Sequence, residues 1–218
     1  VGFDTLLDAL RKDFVGYETL HARILNKIPK FGSGDAETTR MAQEMINFLY
    51  DLYQSFPQYR GGKYTTGFWS MSNHVAFGVL SGALPSGRRR YKPFTPGITP
   101  APGTKDTLLQ NIQTIASLDP LKMPNNIAFN VKVVPDSKDT HEQALNTMTA
   151  YAKTYLESGG MQMQFNVMSS KTLREAMEHP ENYRNLMVRI SGYNAYFVEL
   201  NRDLQLEIIE RTEHSLGR

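Results

Sequence analysis

The hydrophobic positions near the N-terminus follow a helical period. Apolar residues spaced three and four apart between Phe3 and Phe14 predict an amphipathic helix over residues 4–15. A loop rich in glycine follows at 28–37, and Asp35 within it can cap a second helix. The apolar residues of this second helix fall on one face, which we expect to be its inner face: Met41, Met45, Phe48, Leu49 and Leu52.

Between Pro57 and Pro124 the pattern changes. This stretch holds many of the glycines and prolines and shows little periodicity. A long irregular segment inside a compact protein is usually functional or lies against a partner. We therefore expect it to face another part of the molecule or a second chain.

After residue 125, strand and helix patterns alternate. Strands are predicted at 127–134, 161–167 and 186–190. Helices are predicted to begin after the capping residues Asp139 or Thr140, Ser169 or Ser170, and Asn201. The first of them should turn four side chains inward: Leu145, Met148, Ala152 and Tyr155. This order predicts α/β layer packing.

The last helix is predicted near 202–213, and it carries most of a group of acidic residues. We expect these acids to form its solvated face: Glu199, Asp203, Glu207, Glu210 and Glu213.

Composition narrows the classes of function. The 218 residues are 40% hydrophobic and 21% charged, which fits one large domain or two small ones. A net charge of +2 does not favour nucleic acid or an anionic membrane as partner. The sequence has no cysteine, which excludes disulfides, thiolate metal sites and a cysteine nucleophile within these residues. The histidines lack ligand spacing, so no metal is expected, and without a visible signal peptide we expect a cytoplasmic location.

Familiar catalytic motifs are missing. The stretch "RGGKYT" at 60–65 lacks the first glycine of a phosphate-binding loop and has Tyr64 where a hydroxyl would meet magnesium. The basic run "GRRRYK" at 87–92 is typical of a solvated loop.

Gly192 stands where the strand 186–190 ends, and it has two interpretations. It can serve a turn that needs a positive φ, which spacing alone favours. Alternatively, its α-carbon can lose a hydrogen atom and hold a radical, delocalised over the two flanking amides, because no Cβ prevents the centre from becoming planar.

Four ordered segments of the chain resemble the glycyl radical enzymes, the pyruvate formate-lyase-like superfamily. The radical-bearing signature is matched by "RISGYNAYF" at 189–197 with "LQLEIIERTEH" at 204–214. The other matched segments lie upstream, at 3–20, 72–100 and 159–167.

This resemblance implies a function for the loop and a fold. Gly192 would be the radical site, with Arg189, Ser191 and Tyr193 forming its loop. A radical S-adenosylmethionine activating enzyme would install the radical, with no permanently bound cofactor, and a cysteine on an opposing loop would receive it. The fold implied is the C-terminal part of a ten-stranded α/β barrel at 1–125, followed by a glycine radical domain at 126–218.

The resemblance also implies a partner, because the family's cysteine is absent here. The first interpretation is the radical-bearing half of a split lyase, dehydratase or formate-acetyltransferase-like enzyme, with a larger chain supplying the cysteine loop. The alternatives are a spare-part carrier that restores an oxygen-damaged enzyme, or a fragment. The small-molecule substrate stays open.

The segment "FWSMSNHV" at 68–75 resembles a particular strand of the family's dehydratases. In those enzymes this strand lines the substrate cavity. Four residues there are candidates for the pocket lining: Trp69, Ser70, Met71 and His74. The alternative is an ordinary buried strand, since aromatic residues are common in protein cores.

Overall fold

The computed structural model of the chain describes residues 1–103, 106–136 and 138–216. The α-helices in this part of the chain are α1 (Phe3–Arg11), α2 (Glu18–Lys27), α3 (Ala36–Gln54), α4 (Asn73–Leu80), α5 (Leu108–Ala116), α6 (His141–Glu157), α7 (Ser170–Glu178) and α8 (Arg202–Glu210). The strands are β1 (Gly67–Phe68), β2 (Asn126–Ile127), β3 (Phe129–Val134), β4 (Met163–Val167), β5 (Met187–Arg189), β6 (Asn194–Tyr196) and β7 (Glu213–Ser215). Within the described residues, no helix has the length and apolarity needed to cross a bilayer.

A parallel sheet of three strands confirms the predicted α/β packing. Its order is β4-β3-β7, with Phe129 opposite Met163 and Val133 opposite His214. Helix α6 makes the crossover from β3 to β4 that parallel pairing requires. The central strand β3 is buried along almost its whole length, as the inner strand of a parallel sheet is expected to be, and it buries its two polar residues, Asn130 and Lys132, as well.

The hairpin that carries Gly192 belongs to a second core. Strands β5 and β6 pair antiparallel, with Arg189 opposite Asn194. The hairpin packs against α7 and α8 through side chains with almost no solvent exposure: Leu173, Ala176, Val188, Ile190, Phe197 and Ile208. The tip of the hairpin is therefore held by a rigid base.

The predicted helix caps are confirmed. The side chains of Asp35, Thr140, Ser169 and Asn201 each accept a hydrogen bond from the backbone N–H three residues further on. Each of these bonds satisfies a donor that the first turn of a helix leaves unpaired.

Several predicted elements differ from the structure. The first helix ends at Arg11, because Asp13 and Phe14 adopt positive φ angles of 51° and 62° and turn the chain. Phe14 is fully buried beside Ile24 rather than on the helix. Helix α2 was not predicted, and the segment 57–124 contains the unpredicted helices α4 and α5. Their periods were hidden by the glycines and prolines that flank them.

The structure also corrects the predicted inner face of α3. Met45 and Phe48 are 57% and 61% exposed, and Met41 and Leu52 are also exposed, whereas Ile46 is buried. Leu145 on α6 is likewise exposed rather than inward, although Tyr155 on the same helix is buried as predicted. The apolar period located these faces, but within the described chain nothing covers them.

A buried lysine joins three elements of the fold. Lys132 on β3 donates hydrogen bonds from Nζ to Ser170 Oγ and to the carbonyl oxygen of Ile209, both at 2.8 Å. Glu213 Oε2 lies 3.9 Å from the same nitrogen. Burial lowers the pKa of Lys132 to about 8, although the carboxylate of Glu213 opposes this shift.

Lys132 is expected to make the free energy of unfolding depend on pH in the alkaline range. Because its folded-state pKa lies below the value near 10.4 of an unfolded lysine, the unfolded chain binds more protons between these two values. The free energy of unfolding should therefore rise from about pH 8 to about pH 10.4, by at most about 3 kcal/mol. Denaturant unfolding at several pH values should show this rise in the wild type and in the exposed-site control Lys153→Met, and Lys132→Met should lose it. An identical rise in Lys132→Met would contradict the assignment.

Candidate functional site

Gly192 lies at the tip of the β5–β6 hairpin. Its φ is 87°, in the left-handed region that residues with a Cβ rarely adopt. The tip is closed by a hydrogen bond of 2.9 Å from Ile190 N to Tyr193 O. Ser191 is completely buried and its Oγ has no hydrogen-bond partner, whereas Gly192 itself is exposed. The turn interpretation of Gly192 is thus correct as far as backbone geometry goes, and it is compatible with a radical role.

One face of the Gly192 α-carbon lies against Trp69. The indole Nε1 donates a hydrogen bond of 2.9 Å to the carbonyl oxygen of Ser191. A Cβ added to Gly192 would lie 3.0 Å from the same Nε1, closer than most side chains approach one another. An alanine at this position would therefore combine backbone strain with a tight contact that requires the indole to move by a few tenths of an ångström.

Gln164 on β4 holds the other end of the same peptide group. Its Oε1 accepts a hydrogen bond of 3.1 Å from Gly192 N and one of 2.8 Å from Arg189 Nε. The Ser191–Gly192 peptide is consequently bonded at its carbonyl by Trp69 and at its N–H by Gln164.

Asn166, two residues after Gln164 on β4, connects this strand to β5 by hydrogen bonds. Its Oδ1 accepts from Arg189 N at 2.8 Å, and its Nδ2 donates to Arg189 O at 2.7 Å. The side chain thereby satisfies both backbone groups of Arg189, as a neighbouring strand would.

A buried ion pair at the C-terminal end of α8 supports the same residue. Arg211 makes two hydrogen bonds to the Glu207 carboxylate, at 2.9 and 2.8 Å, and its Nη1 lies 3.2 Å from Arg189 O. Burial alone raises the pKa of Glu207, but the charge of Arg211 and the contact with His74 outweigh it, so that the pKa lies below its ordinary value.

The prediction that the C-terminal acids are solvated is confirmed for Glu199, Asp203, Glu210 and Glu213, which are exposed, and is wrong for Glu207. Glu207 is only 6% exposed, because its carboxylate lies between His74 of α4 and Arg211. Helix α8 ends at Glu210, and Glu213 lies in strand β7 instead.

The predicted strand at 68–75 is mostly wrong. Strand β1 ends at Phe68, Met71 has a φ of 48°, and α4 begins at Asn73. His74 is buried, with Nδ1 3.1 Å from Ser70 Oγ and Nε2 3.4 Å from Glu207 Oε2, although Nε2 makes no hydrogen bond there. Trp69 and Met71 are each 44% exposed, so they fit a pocket lining better than His74, and all four assignments stay predictions.

The arrangement holds Gly192 exposed at the tip of the hairpin, with its preceding peptide bonded by Trp69 and Gln164. Among residues 1–103, 106–136 and 138–216, no cluster of His, Asp or Glu could hold a metal ion.

Comparison with known proteins identifies the family. A family model described as glycine radical matches residues 94–198, and one described as pyruvate formate lyase-like matches residues 1–78. A solved glycyl radical enzyme from Archaeoglobus fulgidus superimposes with a TM-score of 0.88 at 34% identity, over 97% of this chain and 27% of that one. The chain belongs to the glycyl radical enzymes.

Two curated relatives of this glycyl radical enzyme chain carry the names of dehydratases. It is 35% identical to a trans-4-hydroxy-L-proline dehydratase from Clostridioides difficile, over 97% of this chain and 27% of the dehydratase. It is 34% identical to the probable dehydratase YbiW from Escherichia coli, over 99% of this chain and 28% of YbiW. The chain thus spans about a quarter of the length of these relatives.

The roles of four residues that support the Gly192 loop were not predicted: Gln164, Asn166, Glu207 and Arg211. A signal for the first two is present in "MQMQFNV", where polar Gln164 and Asn166 fall on one face of a strand and are both buried. The spacing of four residues between Glu207 and Arg211 indicates an ion pair, but not its burial. The domain division between residues 125 and 126 stays a prediction, and the second domain includes residues 137, 217 and 218, outside the described residues.

Proposed function

We propose that this chain is the radical-bearing subunit of a split glycyl radical enzyme, in which Gly192 stores the unpaired electron. The observation that carries the proposal is the tip of the β5–β6 hairpin, where Gly192 has a φ of 87° and both groups of its preceding peptide are hydrogen-bonded. This geometry fixes the position of an α-carbon that carries no side chain, which supports its use as a radical site. The match to the glycine radical family over residues 94–198 supports its chemistry.

The proposed reaction moves one hydrogen atom at a time. A radical S-adenosylmethionine activating enzyme removes a hydrogen atom from the α-carbon of Gly192 and leaves the radical there. A cysteine of a partner chain then gives its S–H hydrogen to that carbon and becomes a thiyl radical. The thiyl removes a hydrogen atom from the substrate, and the reverse transfers restore the glycyl radical after the product has formed.

A partner chain is part of the proposal because these 218 residues contain no cysteine. Its place would be the interior of the ten-stranded barrel to which residues 1–125 contribute. The exposed apolar face of α3 supports such a neighbour, since contiguous apolar surface on a protein commonly marks an interface. A spare-part carrier remains the alternative function, and it would bind a full-length enzyme that has its own glycine loop.

The reaction we propose is the loss of water from a small hydroxylated substrate. The names of the curated relatives support dehydration over formate-acetyltransferase chemistry. Trp69, Ser70 and Met71 are the proposed contribution of this chain to the substrate pocket. Anaerobic metabolism belongs to the same proposal, because oxygen destroys carbon radicals. A cytoplasmic location is a further part of it.

Electron paramagnetic resonance tests the function directly. The full chain, mixed anaerobically with its partner chain and activating enzyme, should show a doublet signal that requires activation. Glycine labelled with ¹³C at the α-carbon should broaden the signal. An activated sample with substrate turnover but no glycine-derived signal would overturn the proposal.

The apolar face of α3 is expected to contact the partner chain. Met45→Glu with Phe48→Glu should weaken assembly at least tenfold, because a buried charge without a partner is costly. The free energy of unfolding of the chain itself should change by less than about 0.5 kcal/mol, since both side chains are exposed. Analytical ultracentrifugation with the partner chain measures the first quantity, and denaturant unfolding measures the second.

Leu145→Glu on α6 serves as the matched control, because Leu145 is a similarly exposed apolar helix residue. Equal weakening by this control would show that added charge, not the α3 face, is responsible. A wild-type chain that stays a monodisperse, cooperatively melting monomer beside the candidate partner would contradict the split-enzyme proposal.

A further inference from the structure

We propose that Trp69 and Gln164 form a clamp on the Ser191–Gly192 peptide group, and that this clamp holds the peptide in the orientation over which the radical delocalises. The proposal rests on the assignment of the radical to Gly192. It gives Trp69 and Gln164 positioning roles beyond that assignment.

The two hydrogen bonds reach opposite ends of one peptide group from different elements. Trp69, just after β1, donates from Nε1 to Ser191 O at 2.9 Å, and Gln164 on β4 accepts from Gly192 N at 3.1 Å. A peptide group is planar, so two bonds at opposite edges fix its rotation about the chain axis. Neither bond alone would do this.

The Gln164 side chain is itself fixed in direction. Its Oε1 accepts from two donors, Gly192 N and Arg189 Nε, so the carboxamide must present its oxygen to them. Gln164 is only 6% exposed, which limits competition from water. The Arg189 guanidinium therefore helps Gln164 to accept from the glycine.

The clamp matters because an α-carbon radical gains stability from both neighbouring amides only when their planes align with its half-filled orbital. A glycine at a hairpin tip has wide freedom in φ and ψ, and this freedom works against alignment. The two bonds also polarise the same amide, since one donor pulls on its oxygen and one acceptor pulls on its N–H. We therefore expect the clamp to set the distribution of the unpaired spin.

The first test uses the unactivated full chain. Gln164→Leu removes the acceptor, and Trp69→Phe removes the indole N–H but keeps an aromatic ring. Gln164→Leu should speed amide hydrogen exchange at Gly192 roughly tenfold, the effect of losing one ordinary hydrogen bond to that N–H. Trp69→Phe frees the carbonyl end of the same peptide and should also speed this exchange, because the peptide can then rotate away from Gln164. Gln164→Glu, which keeps an acceptor oxygen, should restore protection. Met163→Leu, a neighbouring β4 change that packs in the other core, is the matched control and should leave exchange unchanged.

The second test uses the activated protein. Gln164→Leu and Trp69→Phe should change the hyperfine splitting of the glycyl radical spectrum, while Met163→Leu should not. Suppose that the wild type shows the radical, but that both variants keep its amide exchange rate and its hyperfine splitting. This result would overturn the clamp and leave the assignment of the radical to Gly192 intact. A wild type with no glycine radical would overturn the assignment, and the exchange rates would still show whether the peptide is held. If one variant fails to fold, the variant at the other end of the peptide decides.

Discussion

Air is expected to split the activated chain at Gly192. Oxygen adds to carbon-centred radicals, and the peroxyl species that forms at a backbone α-carbon decomposes with cleavage of the chain. The products should be a large fragment that ends near Ser191 and a small C-terminal remnant. Intact-mass measurement before and after exposure to air should find this cleavage only in samples treated with the activating enzyme.

Two glycine variants separate the radical from the backbone geometry. Gly192→Ala should resist cleavage, but its Cβ also meets Trp69 and a φ of 87°, so a change in folding is expected beside the loss of the radical. Gly16→Ala is the matched control, because Gly16 has a φ of 78° with no atom near the added Cβ. This control carries similar backbone strain and should still be cut at Gly192. If the activated wild type stays intact in air and shows no radical signal, Gly192 serves only the turn.

Removing the carboxylate of Glu207 is expected to cause the largest loss of stability among the charged residues discussed. Glu207→Gln leaves the buried Arg211 guanidinium without a counter-charge. Breaking a buried pair in this way typically costs about 3–5 kcal/mol, so we expect the free energy of unfolding to fall by about 3 kcal/mol or more. Denaturant unfolding monitored by circular dichroism measures the difference. The same loss should weaken the hydrogen bond from Arg211 to Arg189 O and so destabilise the base of the Gly192 hairpin.

Glu210→Gln on the same helix provides the control. Glu210 pairs with Lys92 at 2.6 Å, but both side chains are well exposed, and exposed pairs contribute less than about 1 kcal/mol. Equal destabilisation by the two variants would contradict the role we give to the buried pair.

The lowered pKa of Glu207 predicts the direction of its pH dependence. A carboxyl whose folded-state pKa lies below its unfolded value contributes stability above the unfolded value, near 4.3. That contribution is lost as the pH falls through the lower, folded-state pKa. The wild type should therefore lose stability in acid more steeply than Glu207→Gln, when the two are compared over the same acidic range.

The sequence was most informative where local chemistry determines structure. The caps Asp35, Thr140, Ser169 and Asn201, and strand β3, depend on neighbouring residues and on an apolar run, so they were predictable. The positive φ of Gly192 also followed from its place after a strand.

Contacts between distant segments could not be predicted in the same way. Trp69 and Gly192 are 123 positions apart, and no periodicity relates them. Glu207 was assigned to solvent because its neighbours Asp203 and Glu210 are acidic, although its carboxylate is buried against α4. The face of α3 shows the converse limit, since an apolar period indicates that a surface favours burial but not which part of the assembly covers it.

The contact between Trp69 and the glycine loop gives the protein an intrinsic optical probe. The sequence contains a single tryptophan, so all of its indole fluorescence comes from the side chain that touches Ser191 and Gly192. Any step that moves the hairpin tip away from this indole changes the emission of the whole molecule, without a label or a mutation. Under the proposed function, docking of an activating enzyme, arrival of a partner chain and loss of the loop after oxidation would each be followed at this one residue in a stopped-flow instrument.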